Sequence, residues 1–556
     1  MKYLSSNNTK RLDRSLIPVL AVLWALLGLF VLYPLMRLLY IVFIVEGSFT
    51  LSNLSEVFTN WYNRKALLDS LILATSVAIS GTFLGFIFAF AETRISLPRI
   101  VKWFIGAIVV LPFVSPPFTT SIALTLAIGP NGLLLKLLGI PDFNIYGFWG
   151  TWLAETLTYF PIAFLTLAAV LNAIDQNLED AAMSMGSSRW RTFHTITLPL
   201  SAPGIANAFL LLFGCSLADF ATPLVMAGHT FPVLTTQAYL QITGMYDLQG
   251  GATLSFILLI PALLVYLLQH YWIEKRSYVT VTGKSGGRGS ARGAGTVLET
   301  LILLLISIIS LFIIFLYSMI FFGSLVKVWG VDNSFTLENY VYVFTVGKEA
   351  IKDTLLIAVT STFLGSVIGI CIGYLVSRPD LPWRKTLEFT SLLNYVLPGT
   401  VVGIAYVVAF NSGPLVLTGT MFIIVALCAF RYDAAGIRAI VASMQQIDTS
   451  IEEASLSLGA SRATTFFRVI LPLIAPAVTT GMRYLFVVSM TAVSAIIFLV
   501  SVRWSLLTVR ILECITELLF AQAAAFSVVL VLIVFAAMGI IALMFRLIYP
   551  NYMRAR

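Results

Sequence analysis

Long apolar runs alternate along this chain with short polar intervals, many of them basic. A helix that crosses a membrane needs about 20 consecutive apolar residues. Twelve stretches reach that length, in two sets of six. The first set lies near residues 16–44, 67–92, 100–128, 146–173, 203–227 and 251–273, and the second near 299–326, 352–377, 386–411, 415–438, 475–502 and 522–547. Between them, residues 274–298 are rich in Gly, Ser, Lys and Arg. Their centre, Gly283-Lys284-Ser285-Gly286-Gly287-Arg288-Gly289-Ser290, has no side chains with which to build a core and predicts a flexible basic linker. The pattern predicts an all-α polytopic membrane protein of about twelve transmembrane helices, divided into a first half (1–273), the linker and a second half (299–556).

Composition supports this reading. The 556 residues are 59% hydrophobic and 11% charged, where a soluble domain carries about a quarter charged residues. The net charge of +8 does not indicate nucleic acid, because Lys and Arg gather in the loops of one side, as the positive-inside rule requires. With six spans per half, Arg94, Arg99, Lys102, the linker, Arg378, Arg384, Lys385, Arg554 and Arg556 all fall on the cytoplasmic side. Lys2, Lys10, Arg11 and Arg14 precede an apolar stretch too long for a cleavable signal, so it reads as the first span, with both termini cytoplasmic. Cys215, Cys371, Cys428 and Cys514 lack CxxC spacing and read as small core residues. Three histidines, no Ser/His/Asp arrangement and no paired carboxylates leave neither a metal site nor a catalytic one in the pattern.

The two halves are copies. Residues 67–98 align without gaps on 351–382, pairing Asp69 with Asp353, Ser70 with Thr354, Gly85 with Gly369, Arg94 with Arg378 and Pro98 with Pro382. Upstream, Phe49-Thr50-Leu51-x-Asn53 matches Phe335-Thr336-Leu337-x-Asn339. Further on, a constant offset of 273 pairs Thr235 with Thr508, Ile242 with Ile515 and Gln249 with Gln522. Six spans per copy give both halves the same orientation, a parallel repeat about an axis along the membrane normal.

The repeat is most exact in a loop, at 175–202 and 448–475. Asp180-Ala181-Ala182, Gly186, Ile196, Leu198 and Pro199 recur as Glu453-Ala454-Ser455, Gly459, Val469, Leu471 and Pro472. A short helix from Asp180 to Met185, a break at a glycine free of the Cβ penalty, a second short helix from Ser188 to Thr195 and a terminating Pro199 make an elbow at the membrane surface. This spacing resembles the EAA loop of type I ABC importer permeases. Ser216-Leu217-Ala218-Asp219-Phe220, Pro223-Leu224-Val225 and Phe231-Pro232-Val233-Leu234 resemble the fused, two-half permeases of ferric-iron uptake. Related members handle sugar phosphates, phosphonates, thiamine or polyamines.

The resemblance implies that the elbows are coupling helices, each seated on one of two ABC ATPase subunits. Asp180, Ala181, Ala182, Gly186, Leu198, Pro199, Glu453, Ala454, Gly459, Leu471 and Pro472 would carry that role. Asp180 replaces the family's Glu and Ser455 its second Ala. The resemblance also implies an extracytoplasmic substrate-binding protein, a bacterial inner-membrane location among lipid, and ATP with Mg on the partner alone. Gly283-Lys284-Ser285 is not a P-loop, because Tyr278 stands where the motif needs Gly. The chain itself is therefore expected to bind no cofactor and to hydrolyse nothing.

Candidate pathway residues follow from position. An ionisable group within a span faces a cavity or a partner. Asp219 in the fifth span, whose repeat mate is Ala492, reads either as a pathway residue or as a helix cap. Glu155, Arg431 and Asp433 read as pathway groups or as an interhelical ion pair. Pro112, Pro116, Pro117 and Pro398 predict a broken helix lining the pathway or a static kink. Ser216 and Ser494 complete the set. Residues 229–250, with Tyr239, Tyr246 and Asp247, read as an outer surface that meets the binding protein, or as a re-entrant or surface helix. An ion-coupled secondary transporter is the rival reading, since parallel repeats occur there too, but such a carrier has no ATPase to meet the elbows.

Overall fold

The computed structural model describes residues 17–130, 132–139, 143–269, 271, 296–378, 381 and 383–548. Most of the expected linker lies outside them, as do the basic residues of both termini. The described residues are almost wholly helical, apart from two short antiparallel hairpins, Ile44–Val45 with Ser48–Phe49 and Val326–Val328 with Asp332–Phe335. Nine helices among them are long and apolar enough to cross a membrane: Ile17–Phe43, Trp61–Arg94, Phe148–Ala173, Arg189–Ala218, Leu248–Leu268, Val297–Ser324, Lys348–Val376, Arg462–Thr491 and Phe520–Phe545.

Three of the twelve expected spans take another form. The third is two helices, Arg99–Val114 and the one starting at Thr119, bent by 103°, and the ninth is Arg384–Val396 and Gly399–Phe410, bent by 104°. Pro116 and Pro398 sit in these bends, where a residue without an N–H and with a fixed φ ends one helix and starts the next. The tenth divides at Asp433 into Met421–Tyr432 and Ala434–Met444. The fifth and eleventh spans also stop early, at Ala218 and Thr491 rather than near 227 and 502.

The duplication extends to individual hydrogen bonds. The Asn53 amide bonds the Val42 carbonyl at 2.8 Å, and Asn339 bonds that of Val326 at 2.7 Å, so each Asn ties the helix after the hairpin back to the chain at or just before the hairpin's first strand. The Ser70 hydroxyl accepts from the Leu234 N–H at 2.8 Å, and Thr354 accepts from Leu507 at 2.8 Å. Thr235 donates to the Asp219 carbonyl at 2.7 Å, and Thr508 to that of Ala492 at 3.1 Å.

Each half lends its first span to the other. Leu23, Leu27, Phe30 and Val31 pack into a core built from Ile423, Phe430, Tyr406 and their second-half neighbours. Ile306, Ile313 and Leu316 pack with Phe118, Ile122 and Leu126 of the first half. A π turn at Gly28–Leu32 loosens the helical ladder, and the Phe30 carbonyl accepts from Tyr406 at 2.6 Å and from Asn394 at 3.2 Å. On the other side Tyr317 hydrogen-bonds Ser115. Two halves joined in this way are interlocked rather than separable domains.

Candidate coupling elbows and central cavity

Each elbow is assembled by capping. Asp175 accepts from the Asn177 N–H at 3.0 Å and starts helix Gln176–Ser184, and Asp448 accepts from Ser450 at 2.9 Å and starts Thr449–Ser457. The Ser450 backbone N–H, then its hydroxyl, hold the Asp448 carboxyl below the usual carboxylate range. A depressed carboxylate stabilises above its unfolded pKa and loses that contribution only as pH falls through the folded value, so this cap persists into mild acid. Gly186 (φ 87°) and Gly459 (φ 85°) then turn the chain in the left-handed region. Ser188 and Ser461 cap the second helices through the N–H groups of Arg191 and Thr464.

The second arm differs from the expected short helix closed by proline. The helix runs from Arg189 through Pro199 to Ala218, and its mate from Arg462 through Pro472 to Thr491. A π turn at Phe193–Thr197, repeated at Phe466–Ile470, makes this possible. The N–H groups of Leu198 and Leu471 reach back five residues to the Phe193 and Phe466 carbonyls, so the missing proline donor falls where the ladder is already re-registered. Leu198, Pro199, Leu471 and Pro472 thus join each elbow rigidly to a span.

Two features of the elbows were not anticipated. Glu179, one position before Asp180, pairs with Nε of the buried Arg94 at 3.2 Å and accepts from Thr197 at 2.8 Å. Its mate Glu452 pairs with Arg378, which also bonds Tyr374 and lies 4.4 Å from that ring's centroid. At 34 residues, Trp61–Arg94 is about 50 Å long, more than a bilayer core needs, and its surplus carries Arg94 out to the elbow. The second feature is apolar exposure. Leu178 and Ile451 are 46% and 41% exposed, and the tip residues Met185 and Leu458 are 86% and 89% exposed. Ala181, Ala454, Glu453 and both elbow glycines are exposed beside them, with Asp180 and Ala182 partly so. Large apolar side chains are thus bared at the same place in both copies.

A Cβ built on Gly186 or Gly459 meets nothing within 4 Å. Alanine at either site is therefore expected to cost only the left-handed strain, about 1–2 kcal/mol. Amide exchange in the affected elbow should quicken by about tenfold, with the spans unchanged.

The other pathway candidates converge on a cavity of about 280 Å³ between the halves, lined by both bends and by the ends of the fifth and eleventh spans. Asp219 and Ser494 line it, together with Pro112, Pro117 and Gly399 from the bends that Pro116 and Pro398 create. Ser216 does not: it hydrogen-bonds the fully buried Glu155 behind the wall. Asp219 fits both readings of the sequence. Its Oδ1 accepts from the Ala221 N–H at 3.1 Å, where helix Ala221–Met226 begins, and its side chain borders the cavity. Of the two readings of Glu155, Arg431 and Asp433, the ion pair gives way to separate arrangements, and Arg431 lines the cavity. Arg431 bonds the Asn394 carbonyl, and Asp433 fills a slot where a Cβ on Gly369 would lie 2.0 Å from its Oδ2. Helix Leu234–Thr243 buries its first half, Leu234 to Ala238, and leads to the exposed Met245 and Tyr246, so it is not a plain surface helix.

Duplicated membrane halves, interlocked first spans and a central cavity between bent helices define a membrane transport component. The family described as "binding-protein-dependent transport system inner membrane component" matches at residues 81–278 and again at 365–554. The chain belongs to this family, as a permease carrying two copies of its domain. It is 36% identical over 94% of its length, and 77% of the relative, to the ferric transport system permease protein of Actinobacillus pleuropneumoniae. It is 24% identical over 84% of its length, and 87% of the relative, to an Fe(3+)-transport system permease protein of Haemophilus influenzae. The molybdenum transport system permease protein of the same organism is 34% identical over 32% of this chain and 78% of its own.

Proposed function

We propose that this chain forms the whole translocation pathway of an ATP-driven importer of iron(III), one fused chain standing where two permease subunits would otherwise pair. The similarity to a ferric transport permease over 94% of the chain carries the substrate. The two equivalent elbows with bared apolar tips carry the mechanism. Each elbow receives one copy of a separate ATPase subunit, which binds ATP and Mg and performs the hydrolysis; this chain performs none. Both termini and both elbows lie on the cytoplasmic side. A binding protein docks on the opposite face and delivers the ion.

Closure of the ATPase dimer draws the elbows together. The continuous helices Arg189–Ala218 and Arg462–Thr491 carry that movement to the ends that line the cavity. The halves then rock outward, accept the ion, and return on hydrolysis. Each step biases a two-state equilibrium with energy from the partner. A phosphorylated or phosphonate solute is the alternative cargo for the same machine.

The test is uptake into vesicles holding this chain and the ATPase encoded beside its gene, with the neighbouring binding protein outside. Iron-55 entry that needs both ATP and binding protein is the expected result. Uptake driven by an ion gradient without ATPase would overturn the reading in favour of a secondary transporter. ATP-dependent uptake of a phosphonate but not of iron would overturn the substrate alone.

A further inference from the structure

At the end of Trp61–Arg94 farthest from the elbow, the first half carries a second cavity, of about 230 Å³. Helix Ser52–Thr59 and the start of Trp61–Arg94 form one side of it, and the end of Leu234–Thr243 and the start of Leu248–Leu268 the other. Its lining is polar in a chain that is mostly apolar. Glu56, Asn60, Asn63, Gln241, Asp247 and Gln249 all border it, and no Lys or Arg does. The neighbouring Lys65 is engaged elsewhere, on Asp69 at 2.7 Å and on the Thr230 carbonyl at 2.8 Å.

Two groups in this lining have capacity for a partner. Asn63 is only 8% exposed, and its carboxamide makes no hydrogen bond among the described residues. A buried amide left so is costly until something completes it. Asp247 gives Oδ1 to the Gly250 N–H at 2.9 Å and makes no other side-chain hydrogen bond among the described residues. Beside it Met245 and Tyr246 stand bare, and Tyr246 holds a φ of 56°, which a bulky residue adopts only where its surroundings impose it. Met and Tyr are enriched where proteins meet.

The second half does not repeat the pocket. At the offset of 286 that pairs Asn53 with Asn339, Glu56 falls on Tyr342 and Asn60 on Val346. Tyr342 packs on Phe526 with ring centroids 6.1 Å apart, and a Cβ on Gly347 would run into the Phe526 ring. Aromatic packing fills in one half the place that the other keeps polar and acidic.

We propose that this pocket receives a basic side chain, Lys or Arg, of the external binding protein, and so fixes which way round that protein docks. The proposal rests on the reading of the chain as a binding-protein-dependent importer and adds where the partner's charge lands. Glu56 and Asp247 supply the opposite charge, and the side-chain carbonyls of Asn63, Gln241 and Gln249 supply acceptors. An ammonium has three N–H donors and a guanidinium five, with no acceptor on either, so an acceptor-rich, acidic pocket suits both. The described residues hold no group of three or more His, Cys, Asp or Glu, which favours an organic cation over a metal ion. A two-fold surface would accept a partner in either of two orientations. A pocket on one half alone selects one of them.

The experiment measures binding of the protein encoded beside the gene, loaded with iron(III), to the full chain with its ATPase in nanodiscs, at low and high salt. Wild type should bind, less tightly at high salt. Glu56→Gln combined with Asp247→Asn, which keeps the cap on Gly250 because Asn caps as well as Asp, should weaken binding at least about tenfold and flatten its salt dependence. Both carboxylates are exposed, so the fold survives their loss. Glu349→Gln removes an exposed acid at the start of Lys348–Val376, the mate of Trp61–Arg94, and should change binding less than about twofold. A scan of the binding protein's own Lys and Arg, against the unaltered chain, should find one whose removal weakens binding as much and adds nothing in the double variant. A double variant that binds like wild type, a Glu349→Gln effect of equal size, or a scan without such a residue overturns the proposal and leaves the importer standing. A binding protein that does not bind the wild-type complex refutes both.

Discussion

Glu179→Ala is expected to release the first elbow from the span that holds it. Arg94 is buried, with its side chain 3% exposed, and its two terminal nitrogens have no partner. Loss of the Glu179 carboxylate leaves an uncompensated buried charge, at a cost of about 3–5 kcal/mol. The second copy is more open, with both side chains 20% exposed, so Glu452→Ala should cost nearer about 1 kcal/mol. The readout is amide exchange, which should rise in the first elbow by about 100-fold or more and in the second by far less. The charge exchange Arg94→Glu with Glu179→Arg should restore much of the protection, because the pair needs opposite charges in reach more than a fixed direction. Equal effects in the two copies would mean that burial does not set the strength of these ties. In the assembled importer, the same variant should keep ATPase activity but lose most of its stimulation by loaded binding protein.

Gly85→Leu is expected to prevent the first half from assembling. A Cβ at this position would lie 2.6 Å from the Ala163 Cβ, 2.7 Å from the Phe164 nitrogen and 2.9 Å from the Ala163 carbonyl carbon. Two of these atoms are backbone of the facing helix Phe148–Ala173 and cannot turn aside as a side chain would. Overpacking costs about 1–3 kcal/mol when neighbours can shift, and here the two helix axes themselves would have to separate. Gly106→Leu is the matched control, since a Cβ there meets nothing within 4 Å. Size-exclusion chromatography in mild detergent should show a monodisperse Gly106 variant and an aggregated or degraded Gly85 variant. A well-folded Gly85→Leu chain would show that the crossing of these two helices is looser than its geometry implies.

Apolar run length made most of the helices legible, and constant offsets revealed the duplication down to pairs such as Ser70 and Thr354. The elbows were legible from the exact repeat and the glycine break, because both act over a few residues, whereas the caps at Asp175, Ser188, Asp448 and Ser461 emerged only with the structure. What escaped notice depends on contacts distant in sequence. Apolarity is the same in a straight helix and in one bent by 103°, and the choice between a broken helix and a static kink, which Pro112, Pro116, Pro117 and Pro398 left open, needed the packing around them. Pro199 and Pro472 signalled helix ends by local rule, yet a π turn upstream carries the helix past each. The Arg94–Glu179 tie joins residues 85 apart, and the repetition of Arg and Glu in both halves was its only trace. Leu178, Met185, Ile451 and Leu458 carried no signal in the sequence pattern, because exposure is a property of the folded surface. The exchange of first spans between halves left no local mark, since a greasy helix carries no label for the surface it will cover.

The most direct test of the central claim is the ATPase activity of the reconstituted complex, with and without loaded binding protein, for wild type and for Gly186→Pro combined with Gly459→Pro. Proline cannot adopt the positive φ of 87° and 85° at these turns, so both elbows are remodelled while the spans keep their sequence. The account predicts strong stimulation in wild type and none in the double variant, with the complex still assembled. Stimulation that survives in the double variant, or an ATPase that never binds this chain, would contradict it.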